Sequence, residues 1–182
     1  MMMKNKYLIN DLNEYLVNHP DESIKVNRVL DFIKNHNNCF ARNNWSGHFT
    51  GSAWVVDTTR NWILMTNHIQ LNMWLQLGGH AEGNSNLLSV AVKEAREESG
   101  LENFKILSKK IFDLDIHQIP VFGKNPSHLH FDVRYILEAK HEAHLLVASN
   151  ESHEIAWIDK KDVTNKNAEE SIARMLHKMN RF

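Results

Sequence analysis

Glu94, Glu97 and Glu98 stand at i, i+3 and i+4 within Leu87 to Glu98, where apolar residues recur at helical spacing. At about 100° per residue, Leu88, Ala91, Val92 and Ala95 share one face and the three carboxylates a neighbouring one. Carboxylates this crowded repel one another unless a basic side chain or a metal ion compensates. Lys93 is placed to help directly, whereas Arg96 projects to the opposite side. Hard cations such as Mg²⁺ take oxygen ligands and keep positions open for water and phosphate oxygens. A carboxylate helix behind Gly78-Gly79 therefore suits metal-assisted phosphoryl chemistry. The same residues also read as a solvated acidic face closed by a Gly100 cap, and on their own they leave both readings open.

A second constellation lies further along. His128, His130, Asp132 and Arg134 alternate with Leu129, Phe131, Val133 and Tyr135, so a strand would separate them onto two faces. Asp113, Asp115 and His117 alternate likewise with Phe112, Leu114 and Ile116. Paired as a hairpin, the two strands merge their polar faces into one patch. Substrate contacts, a metal held by His128, His130 and Asp132, and a solvated face all remain open for it. Arg134 has the fork geometry to grip a phosphate, and His80 and His48 are expected near the same cleft.

These residues need positioning elements, and the chain supplies them in one series. Leu8, Leu12, Tyr15 and Leu16 predict a first helix ending at His19-Pro20; Ile24, Val29, Leu30 and Ile33 predict a second. Strands are predicted over Phe49 to Asp57, Asn61 to Thr66, Met73 to Leu77, Lys110 to Ile119, His128 to Ala139 and Glu154 to Asp159. The predicted third strand ends in the Gly78-Gly79 turn, and a helix over Ser171 to Met179 closes the chain. This is one mixed α/β domain over residues 41–182 with an N-terminal helical extension over 1–40. At 182 residues, two domains would each be undersized.

Composition narrows the classes further. With 21 basic and 22 acidic residues, there is no strong nucleic-acid signal from bulk charge. The single cysteine, Cys39, excludes an internal disulfide framework. No apolar run approaches the ~20 residues of a membrane span, and the opening residues lack a signal-peptide core, so a cytoplasmic location is expected. Twelve histidines, spread along the chain, exclude a tag and leave a metal or phosphate site or compositional drift open.

The string from Gly79 to Leu101 resembles the Nudix box. The spacing holds through Gly79, Ser85, Lys93, Glu94, Ala95, Glu97, Glu98, Gly100 and Leu101, and Glu-Glu-x-Gly-Leu matches its ending. Two positions depart from the family pattern: Ser85 replaces the first Glu and Lys93 replaces the Arg. Those two normally form a supporting ion pair, so their joint loss looks coupled, and Glu82 is a candidate to take part of the role. His48 to Trp54 and Trp74 to His80 are similar to a bacterial subgroup of the family.

The resemblance implies an α/β/α sandwich around a mixed sheet and hydrolysis of a nucleoside diphosphate linked to another moiety. It implies that Glu94, Glu97 and Glu98, with Gly79, hold Mg²⁺ or Mn²⁺. These carboxylates and Lys93 form the catalytic set, and His80, His128, His130, Asp132 and Arg134 are the candidate substrate contacts. The base that activates water is open among Glu94, Glu97, Glu151 and Glu154. Two other functions compete. An isopentenyl-diphosphate isomerase would need a cysteine in an Asn-x-Cys-x-Ser-His context, whereas Cys39 sits in Asn37-Asn38-Cys39-Phe40. A nucleotide-sensing module without turnover draws support from Ser85 and Lys93, but it has no need for a repulsive carboxylate cluster. A small nucleotide-like diphosphate is the expected partner, and the N-terminal helices pack on their own domain or in a homodimer.

Overall fold

The computed structural model describes residues 2–69, 71–121, 123–147, 149 and 152–182. Its centre is strand β1 (His48–Asp57), buried along its whole length. Alternation along β1 divides the core: Ala53 and Val55 join one apolar cluster, Trp54 and Val56 the other. A strand with both faces covered must be apolar or internally bonded throughout, and this one is.

Before it come α1 (Met2–Asn18) and α2 (Ser23–Asn35). Next along the chain are β2 (Trp62–His68), β3 (Met73–Leu75), β4 (Leu77–His80) and α3 (Leu87–Ser99). They are followed by β5 (Lys105–Ile106), β6 (Asp113–Ile119), β7 (His128–Ala139) and β8 (Ser152–Asp159). The helices α4 (Val163–Lys166) and α5 (Glu170–Met179) end the chain. The strands form one mixed sheet in which β1 pairs parallel to β7 and antiparallel to β2 and β4. Helices α1, α2 and α3 cover one face, and α4 and α5 the other. This is the α/β/α sandwich with a mixed sheet that the resemblance implied. Among the described residues no helix is long and apolar enough to cross a membrane.

Two expectations change. The run from Met73 to Leu77 is two strands, because the chain crosses at Gln76 from pairing with β2 to pairing with β1. Gly78 and Gly79 are consequently strand residues opposite Ser52 and Gly51, not a terminating turn. Ile24, predicted on the inner stripe of the second helix, is 85% exposed. Val26, Val29, Phe32 and Ile33 form that stripe instead, because Phe32 stacks on Phe131 with ring centroids 3.9 Å apart and sets the rotation of α2. Both N-terminal helices share one apolar cluster with Phe49, Leu64 and Phe131 of the sheet.

The candidate active site

Helix α3 is built to hold its carboxylates in register. Asn86 caps its start by accepting the Ser89 N–H at 3.1 Å, and Gly100 closes it at φ 73°, donating to the Arg96 carbonyl. Leu87, Val90, Ala91 and Ala95 bury one face, which turns Glu94 and Glu98 toward β4. The Gly78 N–H donates to Glu98 Oε2 at 2.8 Å. Gly79 lets the Glu94 carboxylate approach the strand backbone, for a β-carbon there would lie 2.4 Å from Glu94 Oε2. Lys93 Nζ donates to Glu97 Oε2 at 2.6 Å and to Glu94 Oε1 at 3.1 Å, and these bonds raise the Lys93 pKa. Lys93 is thus the compensating cation read from the spacing, while Arg96 turns away to the Glu102 carbonyl. Glu97 is the most exposed of the three carboxylates and Glu98 the most buried. Glu82 pairs at 3.5 Å with Arg42, and both side chains are exposed.

This donor set fits a hard divalent cation. All its ligand atoms are oxygens, and the volume that a side chain at position 79 would fill is given over to the Glu94 carboxylate.

Sheet pairing gathers the histidines on an adjoining wall. The parallel pairing of β1 with β7 sets His48 opposite His130, and the antiparallel pairing of β6 with β7 sets His117 opposite the same residue. Ring centroids around His130 lie at 4.8 Å (His48), 5.0 Å (His80), 5.2 Å (His128) and 5.5 Å (His117). Burial, reinforced by neighbouring histidines, lowers His130 to about 2 and His80 to about 3, and burial lowers His48 as well. These three imidazoles are neutral at pH 7.

Asp132 accepts from Thr50 Oγ1 at 2.8 Å, Ser52 Oγ at 2.7 Å, Gln76 Nε2 at 3.2 Å and Arg134 Nε at 2.7 Å. Arg134 departs from expectation. It continues the same sheet face, but α5 covers that end, and its guanidinium is spent on Asp132, Asp113 (3.2 Å) and Asp115 (3.5 Å). At 2% exposure it is buried as the counter-ion of these three aspartates. Arg174 and Lys178 of α5 complete the cluster by bonding Asp113 at 2.8 and 2.7 Å. Burial opposes ionisation of Asp113 and Asp115, yet the surrounding cations hold both below the usual carboxylate range.

Carboxylates and histidines face one cavity of about 470 Å³, walled by Glu94, Glu98 and Lys93 on one side and by His48, His128 and His130 on the other. Trp45 lies on its rim, 42% exposed and edge-on to His128 at 5.5 Å. Trp74, the tryptophan that precedes Gly78-Gly79 along the chain, is buried in the opposite cluster beneath Lys166. Glu154 is exposed on β8, and Glu151 lies outside the described residues. Cys39 is fully buried and its thiol is pushed up to about 11 by burial, unlike the reactive cysteine an isomerase needs.

The mixed-sheet α/β/α sandwich thus places a glycine strand against a carboxylate helix at one wall of the cavity. The NUDIX domain family model matches residues 48–179, and the chain belongs to the NUDIX hydrolase family. Membership carries the enzyme class, a Nudix-type pyrophosphohydrolase. A search of curated proteins finds no match. Among solved structures, a NUDIX-family hydrolase from Clostridium perfringens is 24% identical with a TM-score of 0.54, covering 74% of this chain and 97% of that one. The E. coli dihydroneopterin triphosphate pyrophosphohydrolase is 13% identical with a TM-score of 0.56, covering 71% and 92%. A C. elegans Ap4A hydrolase is 14% identical with a TM-score of 0.51, covering 74% and 96%. These likenesses establish the fold.

Proposed function

We propose that this chain is a Mg²⁺- or Mn²⁺-dependent hydrolase that cleaves the diphosphate linkage of a nucleoside diphosphate joined to another moiety. The observation that carries this reading is the seating of Glu94 and Glu98 against Gly78 and Gly79 on the wall of a cavity large enough for a nucleotide. Glu94, Glu97 and Glu98, with the Gly79 backbone, would hold the metal. When bound, the divalent ion neutralises charge that builds on the diphosphate oxygens.

The chain's own groups do the rest. Lys93 holds Glu94 and Glu97 together and limits their repulsion. Gly78 N–H fixes Glu98 by its hydrogen bond. His80, His128 and His130, with Asp132 behind them, form the wall against which the substrate lies. Because His80 and His130 are neutral, they contribute hydrogen bonds or lone pairs rather than positive charge. Trp45 offers an aromatic edge at the rim for a base. Glu94 and Glu97 are the candidates to take the proton from the attacking water.

The test is nucleotide or phosphate release from a panel of diphosphate compounds, with Mg²⁺, with Mn²⁺ and with chelator. Ap4A and dihydroneopterin triphosphate enter the panel because proteins of similar fold are named for acting on them. Metal-dependent turnover that Glu97→Gln abolishes is the expected result. Absence of turnover on every compound, with nucleotide binding unchanged in Glu97→Gln, would leave a sensing module in its place.

A further inference from the structure

We propose that His48, His128 and His130 form a transition-metal site, separate from the carboxylates of α3, that takes Zn²⁺ through three imidazole nitrogens. One nitrogen from each ring lies within 4.8 Å of one from each of the others. Three residues from two strands converge this way because β1 and β7 run parallel, with His48 in register with His130 and His128 two positions earlier on β7.

The surroundings set the rings in the metal-binding tautomer. His48 Nδ1 donates to the Asn44 carbonyl at 3.3 Å, and His128 Nδ1 donates to the Pro126 carbonyl at 2.8 Å. A proton fixed on Nδ1 leaves the lone pair on Nε2, the arrangement that outer-shell carbonyls impose on metal-ligating histidines. His128 Nε2 and His130 Nε2 stand 3.3 Å apart. Two ligands of a tetrahedral Zn²⁺ with bonds of about 2.0–2.1 Å are separated by about 3.3–3.4 Å, so this pair already spans one edge of the coordination polyhedron. His48 is 1% exposed, and its Nε2 has no hydrogen-bond partner among the described residues. A buried acceptor left without a donor is rare in a folded protein, and a cation supplies what is missing.

Donor chemistry selects the ion. Asp132, two residues from His130 along β7, is spent on four donors, and Asp115 is engaged by His117, Arg134 and Arg174. The ligand atoms that remain are imidazole nitrogens. Such a set suits Zn²⁺ and disfavours Mg²⁺, which takes oxygen ligands. Three protein ligands leave the fourth tetrahedral position to the cavity, where water or a substrate oxygen can occupy it. His80, with its ring 5.1 Å from that of His48, lines the same cavity.

The experiment is calorimetric titration of the chelator-stripped full chain with Zn²⁺ in excess Mg²⁺. It is run on wild type, His48→Asn, His128→Asn and Glu94→Gln. One Zn²⁺ per chain is expected in wild type and Glu94→Gln. At least about tenfold weaker binding is expected in each histidine variant, the lower bound for disturbing even an outer-shell partner of a bound metal. Co²⁺ added to wild type should give the intense visible bands of a tetrahedral nitrogen site, a readout that needs no variant. Circular dichroism of each metal-free variant confirms that it is folded. Absence of stoichiometric Zn²⁺ binding in wild type, equal binding in both folded histidine variants, or loss of binding in Glu94→Gln alone overturns the site. None of these readouts depends on turnover, so the result stands apart from the hydrolase reading.

Discussion

A β-carbon on Gly79 would stand 2.4 Å from Glu94 Oε2, well inside van der Waals contact. The clash is with the end of a flexible side chain, not with backbone. Gly79→Ala should therefore fold with nearly unchanged stability while pushing the Glu94 carboxylate out of place. A displacement on the order of 1 Å at a reacting centre costs about 10²-fold in rate, and that loss is the expected outcome. Thermal melting and metal-dependent turnover, measured on the same preparation, check it; a Gly79→Ala enzyme with full activity would remove Glu94 from the metal site.

Arg134 and the three aspartates around it predict a stability effect rather than a binding one. Arg134→Met keeps most of the volume but strips a cation from Asp113, Asp115 and Asp132 in a buried site. Breaking a buried pair by removing one partner costs about 3–5 kcal/mol. Urea denaturation should show a loss of that size. A raised KM with unchanged stability would instead restore Arg134 to the phosphate.

The histidine wall predicts how the chelated protein responds to mild acid. His80 and His130 are lowered to about 3 and about 2, against about 6.5 in an unfolded chain. Between those limits the unfolded state binds protons that the folded state refuses, so stability falls as pH drops below about 6.5. Each such histidine contributes a slope of up to about 1.4 kcal/mol per pH unit. The groups facing them, His48, His117, His128 and Arg42, favour the neutral form in the same sense. Asp113 and Asp115, held low by their cations, add stability that is lost only below about pH 4. Melting temperature from pH 7.5 to 5 should decline in wild type and decline less steeply in His130→Gln.

Phe32 predicts that the N-terminal helices carry part of the domain's stability. Its ring stacks on Phe131 at 3.9 Å and meets Phe49 edge-on at 6.0 Å. Phe32→Ala should cost about 3–5 kcal/mol, the usual range for an aromatic core truncation. Chemical denaturation measures it. A cost below 1 kcal/mol would mean that α2 contributes little to the domain's stability.

Several of these features are readable in the chain before folding. Alternation without a fault from His128 to Tyr135 lies within β7, whose ends coincide with the predicted strand from His128 to Ala139, and Asp113 to Ile119 pairs with it as the hairpin that alternation suggested. The i, i+3, i+4 spacing of Glu94, Glu97 and Glu98 became one acidic face with Lys93 between its members. Other features left weak signals. Trp74 stands nearer Gly78-Gly79 along the chain than Trp45 does, yet burial makes Trp45 the exposed one of the two. Gly78-Gly79 reads as a turn, because nothing local shows that two carboxylates require a bare strand beside them.

What the sequence determined by itself is what depends on neighbours a few residues apart: which side chains share a face, where α3 begins and ends, and the spacing that marks the NUDIX family. Tertiary structure decided what depends on distant pairing. The parallel register of β1 with β7 brings His48 to His130 from far along the chain. Helix α5, docked over one end of β6 and β7, turns Arg134 inward and leaves His128 and His130 at the open end. Periodicity assigns a residue to a face, but only the packed layers decide whether that face meets solvent, a cavity or another helix.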